Sequence, residues 1–114
     1  QDNVLQLIEI KQPNHSLQDD EMERIQRYHD LMREFLDMPG NASFRNLFPK
    51  FRITLVCDRL SLRGVHQGAF VGLADSGALE HLNWRSFLLR TRKMHEEFLT
   101  EADRQKRLAI MEKE

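Results

Sequence analysis

The sequence predicts an α/β fold: a small mixed or mainly parallel sheet flanked by helices, with a long C-terminal helix. Three observations predict it. Two β-type runs, at 4–11 and 51–58, are rich in branched and aromatic side chains. One long stretch of helical periodicity lies between them, which makes a β-α-β unit whose strands are parallel neighbours joined by a right-handed crossover. The last third of the chain keeps helical spacing almost to its end.

The first run reads Val4, Leu5, Gln6, Leu7, Ile8, Glu9, Ile10, Lys11. Gln12, Pro13 and Asn14 then mark a loop. A helix is predicted over 18–37, its start marked by Asp19, Asp20 and Glu21, which suit the positive end of a helix. Met22, Ile25, Tyr28, Met32, Phe35 and Leu36 recur at threes and fours and predict one buried stripe; Glu23, Arg27, Asp30 and Glu34 lie opposite. Pro39 and Gly40 stop the helix, and the stretch 41–50 reads either as a loop or as one containing a short helical turn around 44–48. In the second run Phe51, Ile53, Leu55 and Cys57 share a face. The Gly-rich stretch 59–76 predicts short strand pieces around 69–73, and 78–82 reads as another short strand. The final helix is predicted over 84–110, capped by Asn83 and anchored by Trp84.

Composition narrows the function classes. With 114 residues the chain is read as a single domain, 1–114, large enough for a core without staples. A net charge of −1 gives no global field toward nucleic acid or an anionic membrane, so any basic surface must be local. Arg85, Arg90, Arg92 and Lys93 are followed closely by Glu96, Glu97 and Glu101, the pattern of a mixed, solvated helix face. The lone Cys57 excludes an internal disulfide, predicts a reducing cytoplasmic setting, and sits in an apolar run as a core residue. There is no apolar stretch of membrane-spanning length. The five histidines lack zinc-ligand spacing, and no Gly-rich phosphate loop or nucleophile elbow occurs. Because the chain opens almost directly on a core-type strand, it is expected to be a fragment of a longer one.

The chemistry concentrates in Glu9 and Lys11. Side chains alternate along a strand, so the two point to one face at its C-terminal end. A carboxylate and an ammonium beside apolar neighbours cost several kcal/mol unless each is partnered. Together they are suited to holding a metal-bound water or a phosphate.

The run from Ile8 to Pro13, a short loop, an acidic helix start and then Arg24, Ile25, Gln26, Arg27 and Tyr28 resemble the PD-(D/E)XK nuclease superfamily. The likeness is to the nuclease-like C-terminal domains of bacterial gyrase/histidine-kinase-type ATPases and related phage-defence proteins. There an IEIKRP strand leads into a helix ending Q-x-x-x-Y, a strand like YLVGD follows (here Ile53 to Asp58), and a helix like the one from Trp84 to Leu99 closes the domain. The resemblance implies a restriction-endonuclease-like core and metal-dependent hydrolysis of DNA phosphodiesters. It implies Glu9 and an upstream Asp as ligands of Mg²⁺ or Mn²⁺, and Lys11 as the group that orients the attacking water or stabilises charge. Asp2 is the sole candidate for that Asp, and Arg24 stands where the family has Gln. Arg24, Arg27 and Tyr28 are the candidate nucleic-acid contacts. DNA and an ATPase domain or subunit are the implied partners. The alternative is a catalytically inactive nuclease-like domain that serves as a nucleic-acid- or protein-binding scaffold.

Overall fold

The computed structural model describes residues 3–113, and the chain divides into two compact units, residues 1–84 and 85–114. In the first unit, β1 (Val4–Ile10) is followed by β2 (Ser16–Leu17) and α1 (Asp19–Asp37). A 3-10 turn at Pro39–Asn41, α2 (Ala42–Leu47), β3 (Lys50–Val56), β4 (Arg59–Leu60), α3 (Gly64–Asp75) and β5 (Leu79–Leu82) complete it. β1, β3 and β5 form a parallel sheet in that spatial order, and β2 pairs with β4. The parallel α/β expectation is met, including the β1–β3 neighbourhood.

Register decides which side chains meet. Val4 pairs with Lys50, Leu7 with Ile53 and Glu9 with Leu55, while Ile53 also pairs with Leu79. Leu5, Leu7 and Glu9 therefore share a face with Phe51, Ile53, Leu55 and Leu79. Onto that face pack Met22 and Ile25 of α1, Ala69, Phe70 and Leu73 of α3, and Leu17. Cys57 is fully buried in this core, as its apolar run predicts. On the other face Gln6 donates to Thr54 Oγ1 at 2.5 Å, and Thr54 donates to Glu80 at 3.4 Å, which satisfies a hydroxyl that is otherwise buried.

The helix predicted over 18–37 is α1, and Met22, Ile25 and Leu36 of its stripe are buried. Phe35 departs from the stripe at 40 % exposure, and it makes an edge-on contact with Phe44 of α2. β1 also differs from a buried strand. Ile8 and Ile10 are about half exposed, since they point to the face opposite the one that α1 covers, on a strand at the edge of the described sheet.

The strand pieces expected around 69–73 are a correction: these residues lie in α3. Gly68 and Gly72 dilute the helical signal, and helix formation there is decided by tertiary packing. Ala69 and Leu73, one turn apart, meet the core on the same side as Phe70. Gly77 then reverses the chain into β5 at φ +83°, a left-handed conformation that a side chain disfavours. Gly77→Ala is expected to lower stability by about 1 kcal/mol in chemical denaturation.

α3 is tied to α1 by charge. His66 Nε2 lies 2.9 Å from Glu23 and its Nδ1 3.6 Å from Asp19, while the Arg63 amide donates to Asp19. The hydrogen bond with Glu23, and then the two carboxylate charges, raise the His66 pKa above its usual 6.5 against some desolvation. The stabilisation is fully present below about 6.5 and fades as pH rises through the folded-state value. NMR titration of the His66 ring is expected to show the raised midpoint, with return toward 6.5 in Glu23→Gln.

The second unit is helical. α4 (Trp84–Lys113) starts at the last residue of the first unit, and along it Arg92 pairs with Glu96, Arg104 with Glu101 and Arg107 with Asp103. These are the exposed i,i+3 and i,i+4 pairs of a solvated helix. Among the described residues no helix is long and apolar enough to cross a membrane.

Candidate functional site

The site lies at the C-terminal rim of the sheet, where ligands of open parallel α/β sheets commonly bind. Glu9 is the penultimate residue of β1. Lys11 lies one residue beyond the strand, yet its amide donates to Val56 O at 2.9 Å and prolongs the ladder. The Lys11 carbonyl accepts the indole Nε1–H of Trp84 at 2.7 Å. Both sides of the Lys11 backbone are thus held, and its side chain leaves on the α1 face.

Beyond Lys11, Pro13 and left-handed Asn14 (φ 67°) turn the chain, and the His15 amide closes the turn on Gln12 O at 3.2 Å. Asp58, just past β3, accepts the Asn14 amide at 2.6 Å and the Trp84 amide at 2.9 Å. Those two amides hold the Asp58 carboxyl below the usual carboxylate range. One carboxylate therefore joins the loop after β1, the end of β3 and the first residue of α4.

The turn brings His15 and Lys11 onto Glu21, in the first turn of α1. Lys11 Nζ lies 2.9 Å from Glu21 Oε2, with both side chains 14 % exposed. His15 Nε2 lies 2.8 and 3.0 Å from the two Glu21 oxygens, and the Gln18 amide donates to Oε1 at 3.0 Å. Burial alone would push the Glu21 carboxyl up. The hydrogen bonds from His15, Gln18 and Lys11, together with the lysine charge, outweigh burial and hold it at about 2. For Lys11, burial favours the neutral amine, but the hydrogen bond to Glu21 and the charges of Glu21 and Glu9 overcome it and raise its pKa. At neutral pH the cluster holds an ammonium between two carboxylates.

Of the residues singled out by sequence, Glu9 and Lys11 come together, with Lys11 Nζ 3.7 Å from Glu9 Oε1. This contact is looser than the one Lys11 makes with Glu21. Arg24, exposed one turn beyond Glu21, is near enough for its charge to oppose protonation of Lys11. Arg27 is also exposed, and among the described residues no contact joins it to the cluster. Tyr28 is partly buried against the core, as the helix stripe predicts, and with Leu7, Glu9, Leu31, Met32 and Phe35 it lines a pocket of about 410 Å³. Asp2 lies outside the described residues.

Sequence reasoning missed two members of this arrangement. Glu21 reads as one of three helix-start acids, and Asp58 as a strand end. The available signal for Glu21 was its place three residues after the helix boundary, where a Glu reaches back to the preceding amide.

Among the described residues no three of His, Cys, Asp and Glu group as a metal cage. Magnesium does not require one. It takes hard oxygens, keeps several waters and is held by one or two carboxylates together with substrate phosphate. The two carboxylates of the cluster, Glu9 and Glu21, are hard oxygen donors of that kind, which Mg²⁺ or Mn²⁺ fits. Glu9 is the carboxylate least engaged by protein donors, and Glu21 is the second only if it yields the hydrogen bond from Lys11. Comparison with protein-family models, with curated proteins and with solved structures gives no match.

Proposed function

We propose that this chain is a nuclease-like domain of the PD-(D/E)XK type that hydrolyses DNA phosphodiesters with Mg²⁺ or Mn²⁺. One observation carries the reading: a carboxylate and a protonated amine leave the same face at the rim of a parallel sheet, and the backbone between them and the neighbouring strand is held by hydrogen bonds. Glu9, with Asp2 or Glu21, would hold the metal. When bound, the ion supplies a water of lowered pKa and offsets charge on the phosphate. Lys11 stays protonated because its pKa is raised, so its part is a point charge and hydrogen-bond donor to a non-bridging phosphate oxygen, not proton abstraction. Arg24, exposed one turn beyond Glu21, would meet a neighbouring phosphate under this reading. DNA and an ATPase domain or subunit are the partners that go with this reading.

A second reading, a scaffold that binds nucleic acid or protein without cleaving, is favoured by a specific observation. Lys11 is bound tightly to Glu21, whose two oxygens already receive three donors. The test incubates the protein with supercoiled and linear DNA and Mg²⁺ or Mn²⁺, beside Glu9→Ala and Lys11→Ala. Under the first reading each substitution lowers cleavage by about 100-fold or more, the scale of removing a group that stabilises charge in the transition state. Cleavage unaffected by either one overturns the assignment. Retention of DNA without cleavage by the unaltered protein establishes the scaffold.

A further inference from the structure

The second unit carries an apolar face in solvent. Along α4, Phe87, Leu88, Met94, Phe98, Leu99 and Ala102 recur at threes and fours, so they share one side of the helix. Leu88, Met94, Phe98 and Leu99 are each more than half exposed, Phe98 the most of these at 67 %. A stripe of this width on a helix normally faces a core, and a contiguous exposed one marks an interaction surface.

The charges of the same helix say what covers it. Over 85–93 every charged residue is basic: Arg85, Arg90, Arg92 and Lys93. Over 96–103 every charged residue is acidic: Glu96, Glu97, Glu101 and Asp103. The two blocks hold equal numbers of charges and meet at Met94 and His95. A twofold axis across the helix at that junction lays the basic block of one copy along the acidic block of another, and does so twice. A parallel pair would instead lay the basic block beside itself.

Side-chain size fits the same axis. With Met94 on the axis, Phe98 of one copy comes level with the turn between Phe87 and Thr91 of the other, where Thr91 is a small member of the stripe. Arg90 and Glu97, a heptad apart at the edge of the stripe, come beside Glu97 and Arg90 of the second copy. The overlap over 85–103 is about 28 Å long. Two helices in contact along it bury roughly 1,200 Å² in total, the lower limit for a stable specific interface.

We infer that α4 pairs two copies of this chain, its apolar stripe packing antiparallel on itself about a twofold axis at Met94, with Arg90–Glu97 pairs formed twice across the axis. None of these residues belongs to the Glu9 and Lys11 cluster, so the inference is independent of the hydrolytic reading.

The test is sedimentation equilibrium of the full 114-residue chain over a range of concentrations. A monomer–dimer equilibrium is expected, with a midpoint on the order of 10 μM for an interface of this size. Phe98→Glu is expected to weaken dimerisation by about 100-fold. Phe98 and Glu97 are both exposed, so substitution at either leaves the fold of the monomer intact. Glu97→Arg sets two like-charged pairs across the axis and is expected to weaken dimerisation about tenfold. Adding Arg90→Glu to it restores opposite charges and should return the midpoint to within about threefold of the unaltered protein. A chain that stays monomeric at about 200 μM overturns the inference, as does a midpoint unchanged in Phe98→Glu. Failure of Arg90→Glu to rescue Glu97→Arg overturns the antiparallel register, and assemblies larger than two copies overturn the closed pair.

Discussion

Leu55→Ala is expected to destabilise the first unit by about 3–4 kcal/mol, the range for emptying a fully buried leucine site. Leu55 is at 0 % exposure on the central strand, between Glu9 of β1 and His81 of β5 in register, and it belongs to the core that α1 and α3 share. Neighbours from three directions are fixed by the sheet ladder and by helix packing, so the cavity has little freedom to collapse. Urea denaturation should show the loss as a lower midpoint with an unchanged slope. A loss below about 1 kcal/mol would mean that Leu55 is not enclosed as described. Because Leu55 pairs with Glu9, the same substitution is also expected to loosen the rim residues.

Glu21→Gln is expected to remove about 2–3 kcal/mol at neutral pH, by linkage from a carboxyl held at about 2 rather than its usual 4.5. The amide keeps the shape but leaves Lys11, at 14 % exposure, with only the looser contact to Glu9. The sign follows from the depressed pKa. The contribution of Glu21 is present above about 4.5 and is lost as pH falls toward 2, so the gap between wild type and variant should close over that range. Denaturation curves at neutral and acidic pH measure it, and a gap independent of pH would refute the electrostatic origin. The variant also bears on catalysis. If Lys11 is held back by Glu21 in the resting protein, Glu21→Gln frees its ammonium for phosphate; if Glu21 is a metal ligand, the same change abolishes cleavage.

Much of this architecture was legible from the chain alone. The two β-type runs and the helical period between them announced the β-α-β unit, because burial on one face imposes a period of two on a strand and 3.6 on a helix. The buried Cys57 and the common face of Phe51, Ile53 and Leu55 followed from the same alternation. α3 was not legible. Its two interior glycines weaken any helical reading, and only the core surface waiting for Ala69, Phe70 and Leu73 decides it.

The candidate site divides in the same way. Glu9 and Lys11 were determined as a pair by strand alternation, a local property that two residues of spacing suffice to set. Which carboxylate Lys11 chooses was decided only by the tertiary structure. The Pro13–Asn14 turn returns the chain so that His15 and the first turn of α1 meet the end of β1, and Glu21 is thereby placed nearer to the ammonium than Glu9 is. Local periodicity is written in consecutive residues, whereas the company a charge keeps depends on contacts between distant segments, which exist only once the core has closed.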